Sequence, residues 1–305
     1  MNRINLALGG GGAKGFVHVG VIKALVERGD EIVSIVGTSI GAIVGSIFAY
    51  NATIAFKEDP EPQKRAVDAL ASLLVKEDFW QLLDVNWPSL LRRGIVKGTK
   101  IREWLDDQLV DDGSRSVRFS ALPMLTVTAT DMMTGECLIV NSENCGATFV
   151  SDGVRASMSI QGIFVPAPLD CAGRHVVCWD GGATGNCRFD IARRLGGELT
   201  VASSVTYRGE PRFLRTGRIR AALQPLQVAD RCADIWLHHI EKMTEELLGE
   251  EVMKKIIIVR PDLDGVETMD FGIDERRRRL LIENGRAQTE NQLKIFEQTH
   301  GADGP

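Results

Sequence analysis

The sequence predicts a three-layer α/β/α protein built around a mainly parallel central sheet. Two observations carry this prediction. An apolar strand pattern at residues 4–8 leads through a glycine run into a helix pattern, and a second apolar pattern at residues 32–36 leads through Gly37-Thr38-Ser39-Ile40-Gly41 into another helix pattern. Successive strand–loop–helix units align their strands in parallel and pack their helices on the sheet.

The composition is that of an ordinary globular protein. The chain has 305 residues, of which 25% are charged and 44% hydrophobic. We therefore expect one domain over residues 1–305, with a helical, cap-like excursion over roughly residues 51–112 and a C-terminal helix over roughly residues 272–300. The net charge of -5 gives no reason to expect nucleic acid as a partner.

The start of the chain and its cysteines bear on the compartment. The strand pattern begins at Ile4 with no apolar export signal before it, so we expect a cytoplasmic location. The six cysteines are scattered and show no C-x-x-C spacing. In that setting we expect reduced core thiols and no metal site.

The first unit contains a glycine-rich loop between its strand and a helix predicted from about Phe16 to Arg28. The G-x-G-x-x-G spacing of residues 10–15 is also found in dinucleotide sites, which need an acidic residue at the end of the second strand. That strand ends in Gly37-Thr38-Ser39 instead. The pattern therefore favours a row of backbone N–H groups that can bind an oxyanion. His18, one turn into the helix, is expected to pack in the core.

The second unit has the order strand, G-x-S-x-G, helix that a nucleophile elbow requires. Small residues at positions 37 and 41 permit a sharp turn, which exposes the Ser39 hydroxyl at a helix N-terminus. Two alternatives are a plain Gly/Ser turn and a membrane span over Ile32–Tyr50. The central Gly-Thr-Ser interrupts such a span and favours a buried βα unit.

The base that would activate this serine is not an obvious histidine, because none of the five histidines has a recognisable catalytic context. Asp180 instead ends a strand pattern at residues 175–179 and precedes Gly181 and Gly182. A carboxylate in that position can approach a serine hydroxyl closely. The alternative is that Asp-Gly-Gly is simply a turn.

With these three motifs, the chain resembles the patatin-like phospholipases, especially their compact bacterial members. Residues 10–15 match G-G-G-x-R/K-G, residues 37–41 match G-x-S-x-G, and residues 180–182 match D-G-A/G, in the family's order. The resemblance implies a patatin-like fold and a Ser–Asp dyad without histidine. The implied site consists of Ser39 as nucleophile, Asp180 as base, the Gly10, Gly11 and Gly12 amides as oxyanion hole, and the supporting motif residues Lys14, Gly15, Gly37, Gly41, Gly181 and Gly182.

Two further segments are similar to the family's pattern. Residues 123–136 resemble its central strand and the turn that follows, and residues 156–166 resemble a helix and loop of the pattern ASxAxPxxFxP. Gln161 stands where proline is usual, and Cys187 stands where proline often follows Asn186. Both departures concern the substrate mouth and leave the dyad intact.

The resemblance implies a serine esterase of the phospholipase A or lysophospholipase type, which acts on carboxylic esters of lipids without a metal or organic cofactor. Two alternatives stay open. One is a regulatory or binding protein on the same scaffold with little turnover. The other is an acyltransferase, which passes the acyl group to an acceptor other than water.

The segments at residues 79–93 and 276–279 bear on contact with a peripheral membrane surface. Residues 79–93 combine Trp80 and Trp87 with Arg92 and Arg93, and a cap helix packed on the body is favoured there over a lid or interfacial patch. Residues 204–222 form a basic, loop-like stretch. The arginine run at residues 276–279 is expected to be a solvated helix face.

Overall fold

The computed structural model describes residues 1–85, 94–111, 115–206 and 218–300. The interpretations of Trp87, Arg92 and Arg93, and of the basic stretch between residues 207 and 217, fall outside these described residues. The strands and helices, in chain order, are β1 Arg3–Leu8, α1 Phe16–Glu27, β2 Glu31–Thr38, α2 Ile40–Tyr50, α3 Pro62–Lys76, α4 Thr99–Gln108, β3 Val110–Asp111, β4 Arg115–Ser116, β5 Leu125–Asp131, β6 Cys137–Asn141, α5 Ser142–Cys145, α6 Val150–Ser157, β7 Ala167–Cys171, β8 Arg174–Asp180, α7 Phe189–Ala192, β9 Leu199–Ser203, α8 Arg218–Leu248, α9 Glu250–Met253, β10 Ile256–Val259 and α10 Glu275–His300.

The central sheet confirms the predicted mixed α/β fold with a mostly parallel sheet. Its strand order is β10-β9-β1-β2-β5-β8-β7, and β6 pairs with β5 beside this path. The strands from β10 to β5 are parallel, whereas β8, β7 and β6 join the sheet in antiparallel pairs. The parallel centre therefore contains both predicted strand–loop–helix units.

The sheet is covered on both faces because its central strands are apolar on both sides. In β1, Leu6 and Leu8 belong to the larger core cluster, which also contains residues of α1, α2 and α10. Ala7 points to the opposite face, where it packs in a smaller cluster with Phe189 of α7 and with Val36. This alternation of successive residues gives the layered arrangement that the sequence predicts.

The register of β1 and β2 brings the two glycine-containing loops to one edge of the sheet. Leu8, the last residue of β1, pairs with Gly37 of β2, and the strands run in parallel. Thr38 pairs in turn with Thr128 of β5. The glycine-rich loop after Leu8 and the turn at Ser39 therefore leave the sheet side by side, where ligand sites of α/β proteins form.

Two local expectations are corrected by the structure. Cys145 and Cys171 pair as a disulfide, so the expectation of reduced thiols is wrong for these two residues. Arg278 is buried and does not belong to a solvated helix face, because its guanidinium donates to the carbonyl oxygens of Ile273 and Val75 at 2.9 and 3.0 Å. It thereby ties α10 to the C-terminal end of α3.

Within residues 1–85, 94–111, 115–206 and 218–300, no helix is both long enough and apolar enough to cross a membrane.

Candidate active site

Ser39 occupies a sharp turn between β2 and α2, as the elbow motif predicts. Its backbone torsion angles are φ 53° and ψ −121°, a conformation that non-glycine residues rarely adopt. Its carbonyl accepts from the amide of Ala42 at 2.9 Å, which starts the first turn of α2. The side chain is therefore held at the positive end of the helix dipole.

The glycines that flank Ser39 are required by close backbone packing. A Cβ on Gly37 would lie 2.6 Å from the Cα of Ala42, and a Cβ on Gly41 would lie 2.2 Å from the carbonyl oxygen of Leu8. Gly15 serves the same purpose on the other loop, because its Cβ would lie 2.2 Å from a side-chain carbon of Ile40. These positions let the two loops approach each other.

Asp180 ends β8 and lies beside Ser39, although its strand reaches the site antiparallel to β5. It pairs with Ala129, one residue beyond the Thr128 that neighbours Thr38. Close contact continues at Gly181, where a Cβ would lie 2.3 Å from the carbonyl oxygen of Thr128.

The Asp180 carboxyl has the environment of a strengthened base. Burial raises its pKa to about 6, while the Ser39 hydroxyl and the Gly182 amide have smaller, lowering effects. The Gly182 amide donates to Oδ1 at 2.8 Å. The Ser39 hydroxyl lies close enough to lower the pKa of the carboxyl. It does not meet the geometry of a hydrogen bond to Oδ2, which has no hydrogen-bond partner among the described residues. Catalytic hydrogen bonds are often loose before substrate binds.

One segment at the C-terminal end of α6 fixes the backbones of both residues. The Ser157 hydroxyl accepts a hydrogen bond from the Ser39 amide at 2.8 Å. Two residues later, the carbonyl of Ser159 accepts from the Asp180 amide at 2.9 Å. The distance between Ser39 and Asp180 is thus set by a third element, which belongs to the segment 156–166 noted in the sequence.

The glycine-rich loop adjoins Ser39, but its amides differ in their bonding. A Cβ on Gly10 would lie 2.9 Å from the Cβ of Ser39. The Gly10 amide already donates to Oδ1 of Asn186 at 3.1 Å, and Nδ2 of Asn186 donates to the Gly10 carbonyl at 2.9 Å. Among the described residues, none accepts from the amides of Gly11 and Gly12. These two amides are therefore available to a ligand, whereas the amide of Gly10 is engaged.

Gly12 is held in a conformation that favours glycine. Its φ is +55°, and a Cβ there would lie 2.1 Å from the carbonyl oxygen of Thr268. The next amide, that of Ala13, donates to the same carbonyl at 2.9 Å. The loop that contains Thr268 thus fixes the far end of the glycine run.

Lys14 is buried and paired with a carboxylate. Its Nζ lies 3.0 and 3.1 Å from the two carboxylate oxygens of Asp234 on α8. A buried charge requires such a partner. Lys14 therefore fastens α8 to the glycine-rich loop.

His18 packs beneath the same loop, as expected. Its Nε2 lies 2.8 Å from the carbonyl oxygen of Gly9, and its Nδ1 lies 2.7 Å from the hydroxyl of Ser203. Because a carbonyl only accepts, Nε2 carries the proton and Nδ1 accepts from the hydroxyl. Burial lowers the pKa of His18 to about 4, so the ring is neutral at neutral pH.

Ser39 opens on an apolar pocket that also includes Gly12 of the glycine-rich loop. The remaining lining residues are Ile40, Ile43, Phe79, Leu83, Ile101, Met158, Ile160, Phe164 and Phe271. Phe79 is buried and packs edge-on against Phe16 and Trp104, so this part of the segment 79–93 belongs to the body of the protein. The pocket suits a hydrocarbon group attached to a reacting carbonyl.

The sequence interpretation missed Asn186 as a site residue, although it noted this position beside Cys187. Asn186 lies four residues after Gly182. This short separation in the sequence was the signal that could have identified Asn186 as a site residue. Asp234 had no such signal, because it lies 220 residues from Lys14 in the chain. Within the part of the chain that the structure describes, no cluster of three or more histidine, cysteine or acidic side chains is arranged to hold a metal ion.

Comparison with known proteins gives a family match that covers most of this site. The family model described as patatin-like phospholipase matches residues 6–193. An uncharacterised NTE family protein of Mycobacterium tuberculosis is 33% identical over 204 residues, which are 67% of this chain and 49% of that protein. Patatin-like phospholipase domain-containing protein 7 of Mus musculus is 31% identical over 209 residues, which are 68% of this chain and 14% of that protein. The chain thus spans about half the length, or less, of these relatives.

A solved structure is also similar over nearly the whole chain. VipD from Legionella pneumophila aligns with 97% of this chain and 67% of its own, at a TM-score of 0.47 and 17% sequence identity.

Proposed function

Because the chain belongs to the patatin-like phospholipase family, we propose that it is a serine esterase of the phospholipase A or lysophospholipase type, which hydrolyses carboxylic esters of lipids. One observation carries the proposal: the strained Ser39 stands beside a buried carboxyl whose pKa is raised to about 6. The amides of Gly11 and Gly12, which have no acceptor among the described residues, and the apolar pocket support it further. The proposed site uses no metal or organic cofactor.

In the first step, the Ser39 hydroxyl gives its proton to Asp180 while its oxygen attacks the ester carbonyl carbon. The raised pKa makes the carboxylate a stronger base than an exposed aspartate. The amides of Gly11 and Gly12 donate to the resulting oxyanion, and such a donor is typically worth about 3 kcal/mol of transition-state stabilisation. The carbon–oxygen bond to the alcohol then breaks, and protonated Asp180 returns the proton to the leaving oxygen.

In the second step, water replaces the alcohol beside the acyl-enzyme. Asp180 takes a proton from this water, whose oxygen attacks the acyl carbon. The tetrahedral intermediate collapses, the fatty acid leaves, and Ser39 recovers its proton from Asp180. The apolar pocket keeps the hydrocarbon chain in place during both steps.

The first prediction of this proposal is covalent labelling of one residue. A fluorophosphonate carries a tetrahedral phosphorus that only an activated nucleophile attacks. We expect peptide mass spectrometry to find the adduct on Ser39, and the wild-type protein to hydrolyse p-nitrophenyl butyrate and lysophosphatidylcholine. The matched control is Ser204→Ala, since Ser204 is a buried serine near the same sheet edge whose hydroxyl donates to Glu241 at 2.8 Å.

Each alternative has its own outcome in this experiment. Labelling of Ser39 together with ester cleavage only when an acceptor alcohol is added would identify an acyltransferase. The absence of both the adduct and the turnover, with lipid supplied in vesicles, would favour the binding scaffold and overturn the proposal. Adduct formation that persists in Ser39→Ala would show that another residue is the nucleophile.

The second prediction concerns Asn186 as a positioning residue of the glycine-rich loop. Asn186→Ala removes the hydrogen bonds between its side chain and both Gly10 backbone groups. We expect kcat for p-nitrophenyl butyrate to fall about 10- to 100-fold with KM within about threefold, because the Gly11 and Gly12 amides lose their alignment with the oxyanion. Steady-state kinetics measures both constants.

The matched control for this change is Asn141→Ala. The Asn141 side chain also accepts from backbone amides, those of Glu143 and Asn144, but at the N-terminus of α5. We expect it to lower stability by about 1 kcal/mol without changing kcat. A comparable loss of kcat in both variants would mean that Asn186 acts through general stability only.

A further inference from the structure

A second apolar cavity lies beside the pocket that contains Ser39. Its lining includes Phe16 at the start of α1, Val44 of α2 and Leu74 of α3, three side chains that do not line the Ser39 pocket. The space between the lining atoms, counted up to the open side, is about 440 Å³ in the Ser39 pocket and about 310 Å³ in the second cavity. The second cavity is therefore comparable in size to the pocket that contains the proposed nucleophile.

The two cavities have a common boundary, which we call the shared wall. The residues that line both cavities, and so form this wall, are Gly12, Ile40, Phe79 and Phe271. On α2, Ile43 lines only the Ser39 pocket and Val44 lines only the second cavity. Because the positions three and four after a helical residue lie on either side of it, the cavities flank Ile40 side by side.

Two members of the shared wall are fixed by the rest of the protein. Phe79 is buried and packs edge-on against Phe16 and Trp104, with ring centroids 5.9 and 6.0 Å apart. Ile40 lies against the glycine-rich loop, because a Cβ on Gly15 would lie 2.2 Å from one of its side-chain carbons. Neither side chain can turn aside without disturbing the core or the glycine-rich loop.

Phe271 differs from these two, because it reaches the shared wall from the loop between β10 and α10. It is half-buried against the larger core cluster, and its amide donates to the carbonyl of Met269 at 2.8 Å within that loop. Its neighbour Gly272 lies against Trp80, since a Cβ there would lie 2.9 Å from Nε1 of the indole. Phe271 is thus the member of the wall that can be shortened without changing α2 or the glycine-rich loop.

We propose that Phe271 closes the Ser39 pocket and selects substrates by acyl length, an inference that rests on the proposed function. An acyl chain whose carbonyl carbon is attacked by Ser39 extends along the apolar lining of the pocket. A longer chain meets the shared wall, so the preferred esters have acyl chains that end at Phe271. Without this ring, a longer chain enters the second cavity, where each additional buried methylene group strengthens binding of the transition state.

The test compares kcat/KM for p-nitrophenyl dodecanoate and p-nitrophenyl butyrate, each below the concentration at which it aggregates. In Phe271→Ala we expect the dodecanoate-to-butyrate ratio to rise at least about tenfold, which corresponds to burial of about two further methylene groups. Phe271→Leu retains part of the side-chain volume and should give a smaller rise in the same direction. The leucine variant also decides the question if the alanine variant folds poorly in urea unfolding experiments.

Two further variants show whether the second cavity receives the chain. Met269→Ala shortens a side chain that is exposed on the same loop and lines neither cavity, so the ratio should stay unchanged. Leu74→Phe, combined with Phe271→Ala, fills the second cavity from α3 and should remove the gain.

Binding of free fatty acids tests the shared wall independently of turnover. In the chain with Ser39→Ala, isothermal titration calorimetry measures Kd for octanoate and dodecanoate. We expect the added Phe271→Ala substitution to strengthen dodecanoate binding relative to octanoate binding by about tenfold or more. This result without hydrolysis of any ester would support the wall while refuting the proposed function.

Three results would overturn the proposal. The first is a dodecanoate preference, in hydrolysis or in fatty-acid binding, that is the same in the wild type and in the folded Phe271 variants. The second is an equal rise in Met269→Ala, which would assign the effect to a loosened loop. The third is a gain that Leu74→Phe leaves intact, which would mean that the longer chain extends into solvent and not into the second cavity.

Discussion

Replacing Asp180 by asparagine is expected to lower kcat/KM about 10³-fold, within the range that general-base catalysis contributes. Asparagine has nearly the shape of aspartate and can still accept from the Gly182 amide, which donates to Oδ1 at 2.8 Å in the wild type. It cannot take the proton of Ser39. The loss therefore measures proton transfer more directly than a truncation would, and p-nitrophenyl butyrate kinetics at pH 8 record it.

The same substitution is expected to stabilise the protein above pH 6. Burial raises the folded-state pKa of Asp180 from 3.8 to about 6, so the folded protein holds this proton more tightly than the unfolded chain. The stabilising effect of that proton is fully present below pH 3.8 and is lost as the pH rises through about 6. This shift in pKa corresponds to about 3 kcal/mol in the free energy of unfolding at pH 8. The neutral asparagine is expected to recover about 1–3 kcal/mol of it. Urea unfolding at pH 8 and pH 4 should show this gain only at pH 8.

The pH profile of the wild-type enzyme follows from the same group. Because only the ionised carboxyl accepts the Ser39 proton, kcat/KM should fall about tenfold for each pH unit below the Asp180 pKa of about 6. His18 does not contribute to this limb, since its ring is already neutral above its own pKa of about 4. An acid limb that persists unchanged in Asp180→Asn would show that a different base is titrating.

Asp131→Asn is the matched control, because Asp131 is another buried aspartate at the end of a neighbouring strand. Its carboxylate accepts from the Met133 amide at 2.9 Å and lies 3.2 Å from the guanidinium of Arg174. Removing its charge should lower stability, the reverse of the effect at Asp180, and leave kcat within about threefold. Equal losses of kcat in both variants would contradict a specific role for Asp180.

The sequence was sufficient to predict the parts of the fold that depend on neighbouring residues. Apolar runs followed by glycines predicted β1, β2 and the two loops, because strand period and turn chemistry are local properties. The parallel register then followed from the βα connections. The prediction that Asp180 ends a strand is confirmed for the same reason.

The remaining features depend on pairings between distant parts of the chain. The antiparallel approach of β8 to β5 pairs Asp180 with Ala129, and no local pattern specifies that direction. The Lys14–Asp234 pair joins two residues that lie 220 positions apart in the chain. Arg278 illustrates the same limit, because four consecutive arginines look alike in sequence and only helix packing selects the one that is buried.

The glycine motif shows where a family pattern stops being informative. The resemblance treats the amides of Gly10, Gly11 and Gly12 as equivalent oxyanion donors. The hydrogen bonds separate them, because Asn186 occupies the first and none of the described residues occupies the other two. We therefore narrow the proposed oxyanion hole to Gly11 and Gly12 and assign the Gly10 backbone to loop positioning.

Gly41→Ala is expected to be the most damaging member of a series of three Gly→Ala substitutions. A Cβ on Gly41 would lie 2.2 Å from the carbonyl oxygen and 2.6 Å from the carbonyl carbon of Leu8, and 2.8 Å from the carbonyl oxygen of Gly9. Backbone atoms of a central strand cannot rotate away, so α2 must separate from β1. We expect a loss of about 3 kcal/mol or more in the free energy of unfolding, measured in urea.

The two other members of the series test whether the backbone contact is the cause. Gly45 lies one turn further along α2, where a Cβ would meet the side chain of Ile35 at 2.9 Å, and Gly196 has no atom within 4 Å of such a Cβ. Because a side chain can adjust and alanine favours a helix, Gly45→Ala should change stability by less than about 1.5 kcal/mol, and Gly196→Ala by less than about 0.5.

Activity should separate the three variants further than stability does. Moving α2 away from β1 also moves Ser39 away from the Gly11 and Gly12 amides, so the folded fraction of Gly41→Ala should retain at most about 1% of the wild-type kcat/KM. The other two variants should keep kcat/KM within about threefold, because neither displaces the end of β1. If Gly41→Ala were as stable and as active as Gly45→Ala, the close contact between α2 and β1 would not be what aligns the serine with its oxyanion donors.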